Sequence, residues 1–158
     1  MVIAGTGHRP NKLGGYSVGA REFLRDFARV ELAHLDRETK IISGMAQGWD
    51  TALAQAAVDC GFPLVVAIPF KEQPYPWPKE AQELYYDLLN KATEVVYVST
   101  EGYATWKLQK RNAWMVDQAD SILALWDGTS GGTANCIAYA KKKNRPVYNR
   151  WEWYKKTK

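Results

Sequence analysis

Trp126-Asp127-Gly128-Thr129-Ser130-Gly131-Gly132-Thr133-Ala134-Asn135 is the stretch on which the fold turns. Before it, Ser121 to Leu125 is an apolar run of strand length; after it, Ile137 to Lys142 reads as a helix with a basic end. A strand, a glycine-rich turn and a helix start together aim free backbone N–H groups at whatever sits above the turn. The helix dipole adds about half a positive charge there, so an anion, usually phosphate, is the natural guest. Gly128, Gly131 and Gly132 let the backbone approach that guest closely. Thr129, Ser130 and Thr133 add hydroxyl donors, and Asp127 stands at the strand's end. The plainer reading is a tight βα turn in which Thr133 merely caps the helix.

Two stretches upstream repeat the pattern. Residues 2–6 form an apolar strand that enters Gly7-His8-Arg9-Pro10-Asn11-Lys12-Leu13-Gly14-Gly15, a loop rich in glycine and cations. Arg9 there can offer a bidentate fork to a phosphate or carboxylate. His8 reads as a ligand, an acid or a capping group, the last being the simplest. The strand Thr39 to Ser43 runs into Ser43-Gly44-Met45-Ala46-Gln47-Gly48-Trp49-Asp50 and then a helix with Leu53, Ala56, Ala57 and Val58 on its apolar side. Asp50 at that helix start is either a cap or a contact to a ribose hydroxyl or base.

Between and around these turns, the chain alternates strand and helix. Helix over 17–35, strand 64–69, helix 79–91, strand 94–99, helix 106–118 and a last edge strand at 146–148 complete the expected order. The proline-rich Phe70 to Pro78 is too broken for helix or central strand and reads as a loop over the sheet edge. It offers Gln73 and Trp77, with Tyr103 further on, as lid contacts. The expected fold is therefore α/β, a Rossmann-like doubly wound and mainly parallel sheet of five to six strands with helices on both faces. Residues 1–150 make one domain, and 151–158 an aromatic, basic C-terminal tail. The loops after strands one, two and five should converge on one crevice beyond the carboxyl ends of the strands.

Composition sets the outer bounds. The 158 residues are 46% hydrophobic and 24% charged, ordinary for one globular domain. No apolar run approaches the ~20 residues of a membrane span, and the start goes into a strand without a basic leader, so a cytoplasmic protein is expected. The two cysteines, Cys60 and Cys136, read as buried thiols rather than a disulfide framework. His8 and His34 are far apart and no Cys/His spacing suits a metal; no metal and no cofactor are expected. A net charge of +4 permits an anionic partner without demanding nucleic acid.

Gly5-Thr6-Gly7-His8-Arg9-Pro10, Ser43 to Asp50, Arg111-Asn112 and Asp127-Gly128 through Gly131-Gly132-Thr133 resemble the SLOG superfamily. That Rossmann-like group joins the Smf/DprA DNA-processing proteins with the "lonely guy" phosphoribohydrolases. The stand-alone YspA/YpsA-type branch is the most similar, in length and in the Thr-Gly-His-Arg-Pro opening. The resemblance implies three functions. The phosphoribohydrolases pair an Arg, matched by Arg111, with a Glu in the helix after a Gly-Thr turn. In this chain that position is Cys136, with no Asp or Glu through Ala140, so hydrolysis of a nucleoside monophosphate is disfavoured unless Asp50 or Asp127 substitutes. The DNA-processing proteins hold single-stranded DNA in the same crevice. The third expectation, and the one favoured, is a binding module for a small nucleotide of ADP-ribose- or NAD-derived type. Such a protein would be a sensor or a sequestering protein of phage or bacterial origin rather than an enzyme. The resemblance also implies a homo-oligomer, dimer or higher. In this reading Gly128–Thr133 hold the phosphate, Arg9 and Arg111 supply charge, and Gly44–Asp50 face the ribose.

Overall fold

The computed structural model describes residues 1–158. Six strands, β1 (Val2–Gly7), β2 (Lys40–Ser43), β3 (Leu64–Ile68), β4 (Glu94–Tyr97), β5 (Ser121–Leu125) and β6 (Val147–Asn149), form one sheet. Every pairing is parallel, and the order is β4-β3-β2-β1-β5-β6. This is the Rossmann-like α/β arrangement, with its reversal of strand order between β1 and β5. The helices are α1 (Val18–Leu32), α2 (Trp49–Cys60), α3 (Lys79–Lys91), α4 (Thr105–Gln118), α5 (Gly132–Lys142) and α6 (Trp151–Thr157). None is long and apolar enough to cross a membrane.

Strand alternation divides the core in two. Ile3, Ile41, Leu64, Val66, Ile68, Leu123 and Leu125 face the larger cluster, which α1, α2, α3 and α6 complete. Ala4, Ile42, Val65, Ala67 and Ile122 face the smaller one, under α4 and α5. β3 and β5, buried at every residue, are the continuous apolar runs of central strands. Local chemistry sets the helix ends. The Ser17 side chain accepts the Ala20 N–H at 3.1 Å and starts α1. Gly61, in the left-handed conformation, ends α2.

Helix α2 sits close on β1, and glycine makes this possible. A Cβ at Gly7 would lie 2.6 Å from the Trp49 ring, and one at Gly5 would meet Leu53. Trp49 is fully buried, and its indole N–H donates to the Leu123 carbonyl at 3.3 Å. Residues 151–158, expected as a tail, form α6 instead. Tyr154 is buried against Phe27 and Phe23 and stacks on Trp151, so the larger core holds this segment in place. Helix α1 stops at Leu32, three residues short of the expected 35, because 33–35 close as a turn with Leu35 N–H donating to Leu32 at 3.0 Å. Cys60 is only half-buried, at the end of α2.

Candidate functional site

At the switch point between β1 and β5 the carboxyl ends of the strands open a cleft of about 300 Å³. The loop after β1 lines it with Gly7, His8, Arg9, Asn11 and Lys12, and the turn after β5 with residues 129–134. The turn after β2 contributes Ala46 and Asp50, and α4 contributes Leu108, Arg111 and Asn112. All three glycine-rich loops therefore meet, and α4 closes one side.

The β5 turn is built to stay open. Gly131 at φ 143° and Gly128 at φ 93° take conformations that other residues rarely adopt, and a Cβ at Gly128, Gly131 or Gly132 would meet only open space. No side chain caps α5 and no acid lies in its first turn. The amides of Gly132, Thr133 and Ala134 precede the first internal donor, Asn135 N–H to the Gly131 carbonyl at 3.0 Å. They remain free, as helix-end amides do without a cap. Thr133 is not that cap: its hydroxyl donates to the Gly7 carbonyl at 3.0 Å and ties α5 to β1.

Asp127 lies outside the cleft and braces the turn from behind. Its Oδ1 accepts from the Thr129 amide (3.0 Å) and hydroxyl, and its Oδ2 accepts from Lys12 Nζ at 2.9 Å. These donors hold its carboxyl far below the usual carboxylate range. Trp126 adds a second brace, its indole N–H donating to the Thr129 carbonyl at 2.8 Å. His8 Nε2 lies 2.9 Å from both the amide and a carboxylate oxygen of Asp127. Burial pushes the imidazole below its ordinary value, so the neutral ring accepts the amide N–H on Nε2. Its role is a brace, and its other side meets the edge of Trp151.

The β2 turn is filled by the protein itself. Gly44 offers its carbonyl to Gln73 Nε2 at 2.9 Å and to Arg111 Nη1, and a Cβ there would lie 2.7 Å from that nitrogen. Met45 is fully buried at φ 63°, an uncommon conformation for a side chain of its kind. A Cβ at Gly48 would strike the His8 carbonyl. Ser43 donates to the Asp50 carbonyl at 2.7 Å. Thus Ser43, Gly44, Met45 and Gly48 do not reach the cleft; they shape its wall.

Two groups of opposite charge remain at the floor. Arg111 is buried, with Nε donating to Asn112 Oδ1 at 2.9 Å and Nη1 to Gly44, so half of its fork is a structural brace. Burial lowers its basicity, partly offset by Asp50. Asp50 is neither solvent-facing nor a cap. Its Oδ2 accepts from the Ala46 amide at 3.3 Å and its buried Oδ1 has no partner. Desolvation raises its pKa despite Arg111 and Arg9 nearby. Arg9, exposed at the cleft mouth, has no carboxylate bound to it. Cys136 lies behind the floor, buried, its thiol pushed up to about 11 chiefly by desolvation.

The three lid residues do not close over the cleft. Gln73 is buried and accepts from the Tyr85 hydroxyl at 3.0 Å while holding Gly44. Trp77 packs edge-on against Tyr85 at 5.5 Å and borders a different, apolar groove of about 280 Å³ between α1, α2 and α3. Tyr103 is exposed and meets Phe70 edge-on at 5.4 Å. Asn11, Lys12 and Leu108 line the cleft without having been expected there, and Asn112 joins them, named in the sequence only as part of the Arg111-Asn112 motif. For the α4 pair a signal existed: 108, 111 and 112 share one helix face by the i, i+3, i+4 rule.

The sequence model of the YspA SLOG family matches residues 3–151, and the chain belongs to that family. It is 34% identical over 132 residues to the SPbeta prophage-derived protein YoqJ of Bacillus subtilis (strain 168), covering 71% of this chain and 75% of that one. Among solved structures, DNA processing protein A of Streptococcus pneumoniae superposes with a TM-score of 0.67 at 20% identity, over 93% of this chain and 49% of that one. This chain therefore spans about half the length of that protein. DNA processing protein A of Helicobacter pylori, described with a single-stranded DNA binding mode, superposes with a TM-score of 0.65 at 18% identity, over 93% and 63%. At these identities the likeness is one of fold.

Proposed function

We propose that this member of the YspA SLOG family binds a small nucleotide or nucleotide-derived ligand in the cleft between β1 and β5, as a sensor or a sequestering protein. The observation that carries the proposal is the uncapped end of α5. Three unpaired amides, the Ser130 hydroxyl and the unpaired Arg9 border one volume. Together they suit a phosphate. About 300 Å³ lies at the lower end of small-molecule sites, room for one nucleoside phosphate unit. An ADP-ribose-type ligand would extend beyond it, past the mouth.

Binding fits better than turnover. Where the resemblance calls for a glutamate stands Cys136, a buried thiol protonated at neutral pH, and the only carboxylate bordering the cleft is Asp50. The prophage origin of the Bacillus subtilis relative agrees with a sequestering role. We further propose a cytoplasmic protein and, from the family resemblance, a homo-oligomer.

A second reading, capture of single-stranded DNA, draws on the fold shared with the Helicobacter pylori protein. A thermal-shift screen separates the two. Nucleoside phosphates and ADP-ribose should raise the melting temperature, with mass spectrometry recovering them intact. Recovery of free base and ribose phosphate would make the protein an enzyme. Stabilisation by an oligonucleotide alone, falling steeply with salt, would replace the first reading by the second.

A further inference from the structure

The cleft does not seek anions throughout. Its rim offers the α5 amides, the Ser130 hydroxyl and Arg9 as donors, whereas its floor carries the one carboxyl group that borders it, Asp50. Asp50 is 7% exposed. One of its oxygens takes the Ala46 amide at 3.3 Å and the other is buried without a partner. Neighbouring groups leave that vacancy unfilled. Arg111 directs Nη1 to the Gly44 carbonyl and Nε to Asn112, and the Ser43 hydroxyl points to the Asp50 backbone carbonyl, not to its side chain. Buried carboxylate oxygens are almost always paired, so this one is in want of a donor. Phosphate oxygens cannot supply one. A ligand that satisfies both ends of the cleft carries an anion at one end and a hydroxyl hydrogen at the other.

We infer that Asp50 reads the sugar of the ligand: the cleft takes a ribose phosphate in preference to its 2-deoxy counterpart, with the Asp50 carboxylate accepting a hydroxyl hydrogen from the ring. The inference rests on the phosphate site proposed above. It narrows the ligand to ribonucleotide derivatives and sets deoxyribose backbones at a disadvantage. A site that hydrogen-bonds a hydroxyl discriminates strongly against the analogue lacking it, because the buried acceptor is then left unpaired.

The test uses base-free probes on the whole chain: calorimetric titration with ribose 5-phosphate, 2-deoxyribose 5-phosphate and inorganic phosphate. Ribose 5-phosphate should bind at least about tenfold more tightly than the deoxy sugar. In Asp50→Asn, which keeps the size and the acceptor for Ala46, that preference should fall to within about twofold while phosphate affinity holds or improves. Equal affinity of the wild type for the two sugars overturns the inference and leaves the phosphate site standing. A preference that survives in Asp50→Asn, at unchanged melting temperature, also overturns it. Absence of binding by all three probes removes the phosphate site and the inference together. The wild-type comparison decides the matter even where the variant fails to fold.

Discussion

The turns after β2 and β5 look alike in sequence and differ in what surrounds their glycines. Both follow a buried strand, both carry at least one glycine at positive φ, and both open a helix. Around Gly44 and Gly48 the protein leaves no room: the Arg111 guanidinium and the His8 carbonyl fill the space where a Cβ would go. Around Gly128, Gly131 and Gly132 nothing lies within reach. The same residue type thus serves two ends. In the first turn glycine lets protein meet protein; in the second it leaves an approach for something else. Glycine-rich turns before helices are therefore not evidence of a ligand until the space above them is known.

The comparison can be broken by substitution, and the largest effects should fall on the closed side. Gly48→Ala faces both a backbone clash and a positive φ, and should cost about 3 kcal/mol or more in denaturant unfolding. Trp49→Ala, which empties the space β1 leaves for it, should cost about 3–5 kcal/mol. A Gly48→Ala protein as stable as wild type would mean the closed turn can relax, and the contrast would lose its basis.

Next come the two arginines. Arg111→Ala removes a buried brace on Gly44 and should destabilise the fold by about 2–3 kcal/mol, as loss of charged hydrogen bonds does. Arg9→Ala should leave the melting temperature unchanged yet weaken phosphate-ligand binding by about 1.5–3 kcal/mol. Calorimetry and thermal melts on the same samples separate these outcomes. Arg9 is thus the cleaner probe of the site, because affinity lost in Arg111→Ala mixes contact with architecture.

Gly131→Ala sharpens the comparison from the open side. With φ at 143° but empty surroundings, it should cost about 1–3 kcal/mol of stability from backbone strain alone, less than Gly48→Ala, while reducing ligand affinity, since the amides of α5 would no longer be presented in the same way. Equal losses in Gly48→Ala and Gly131→Ala unfolding would erase the distinction.

The smallest effect is one of pH. His8 has a folded pKa below its ordinary 6.5, chiefly through burial. Protonation is therefore opposed in the folded state: full stability is present above 6.5 and declines as pH falls through the window between 6.5 and the lower folded value. Protonated, Nε2 becomes a donor and gives up the Asp127 amide. Melting temperature should fall modestly from pH 7 to pH 5, and His8→Asn should flatten that part of the profile.

The order of elements was legible because period and punctuation carry it: apolar runs at Ile41-Ile42, Leu64 to Ile68 and Ser121 to Leu125, each bounded by glycine or proline. The meeting of three loops was legible too, since it follows from parallel topology. The closed nature of the β2 turn was not. It depends on Arg111, 67 positions away from Gly44, and on Gln73, and no local pattern announces either contact. Gln73 looked like a lid because it lies in a proline-broken loop, but its amide is drawn inward by two polar groups that burial leaves in need of partners. Residues 151–158 looked like an appendage for a related reason: their aromatic residues gain a role only from Phe23 and Phe27 on a distant helix.

One contact has a spectroscopic consequence. The Trp126 indole N–H is held by the Thr129 carbonyl at 2.8 Å, inside the turn whose amides face the cleft. That proton is a built-in reporter. Its resonance, assigned by its disappearance in Trp126→Phe, should shift when an anion settles on α5 and the turn adjusts, giving a titration curve from an unlabelled ligand at a single atom of the protein.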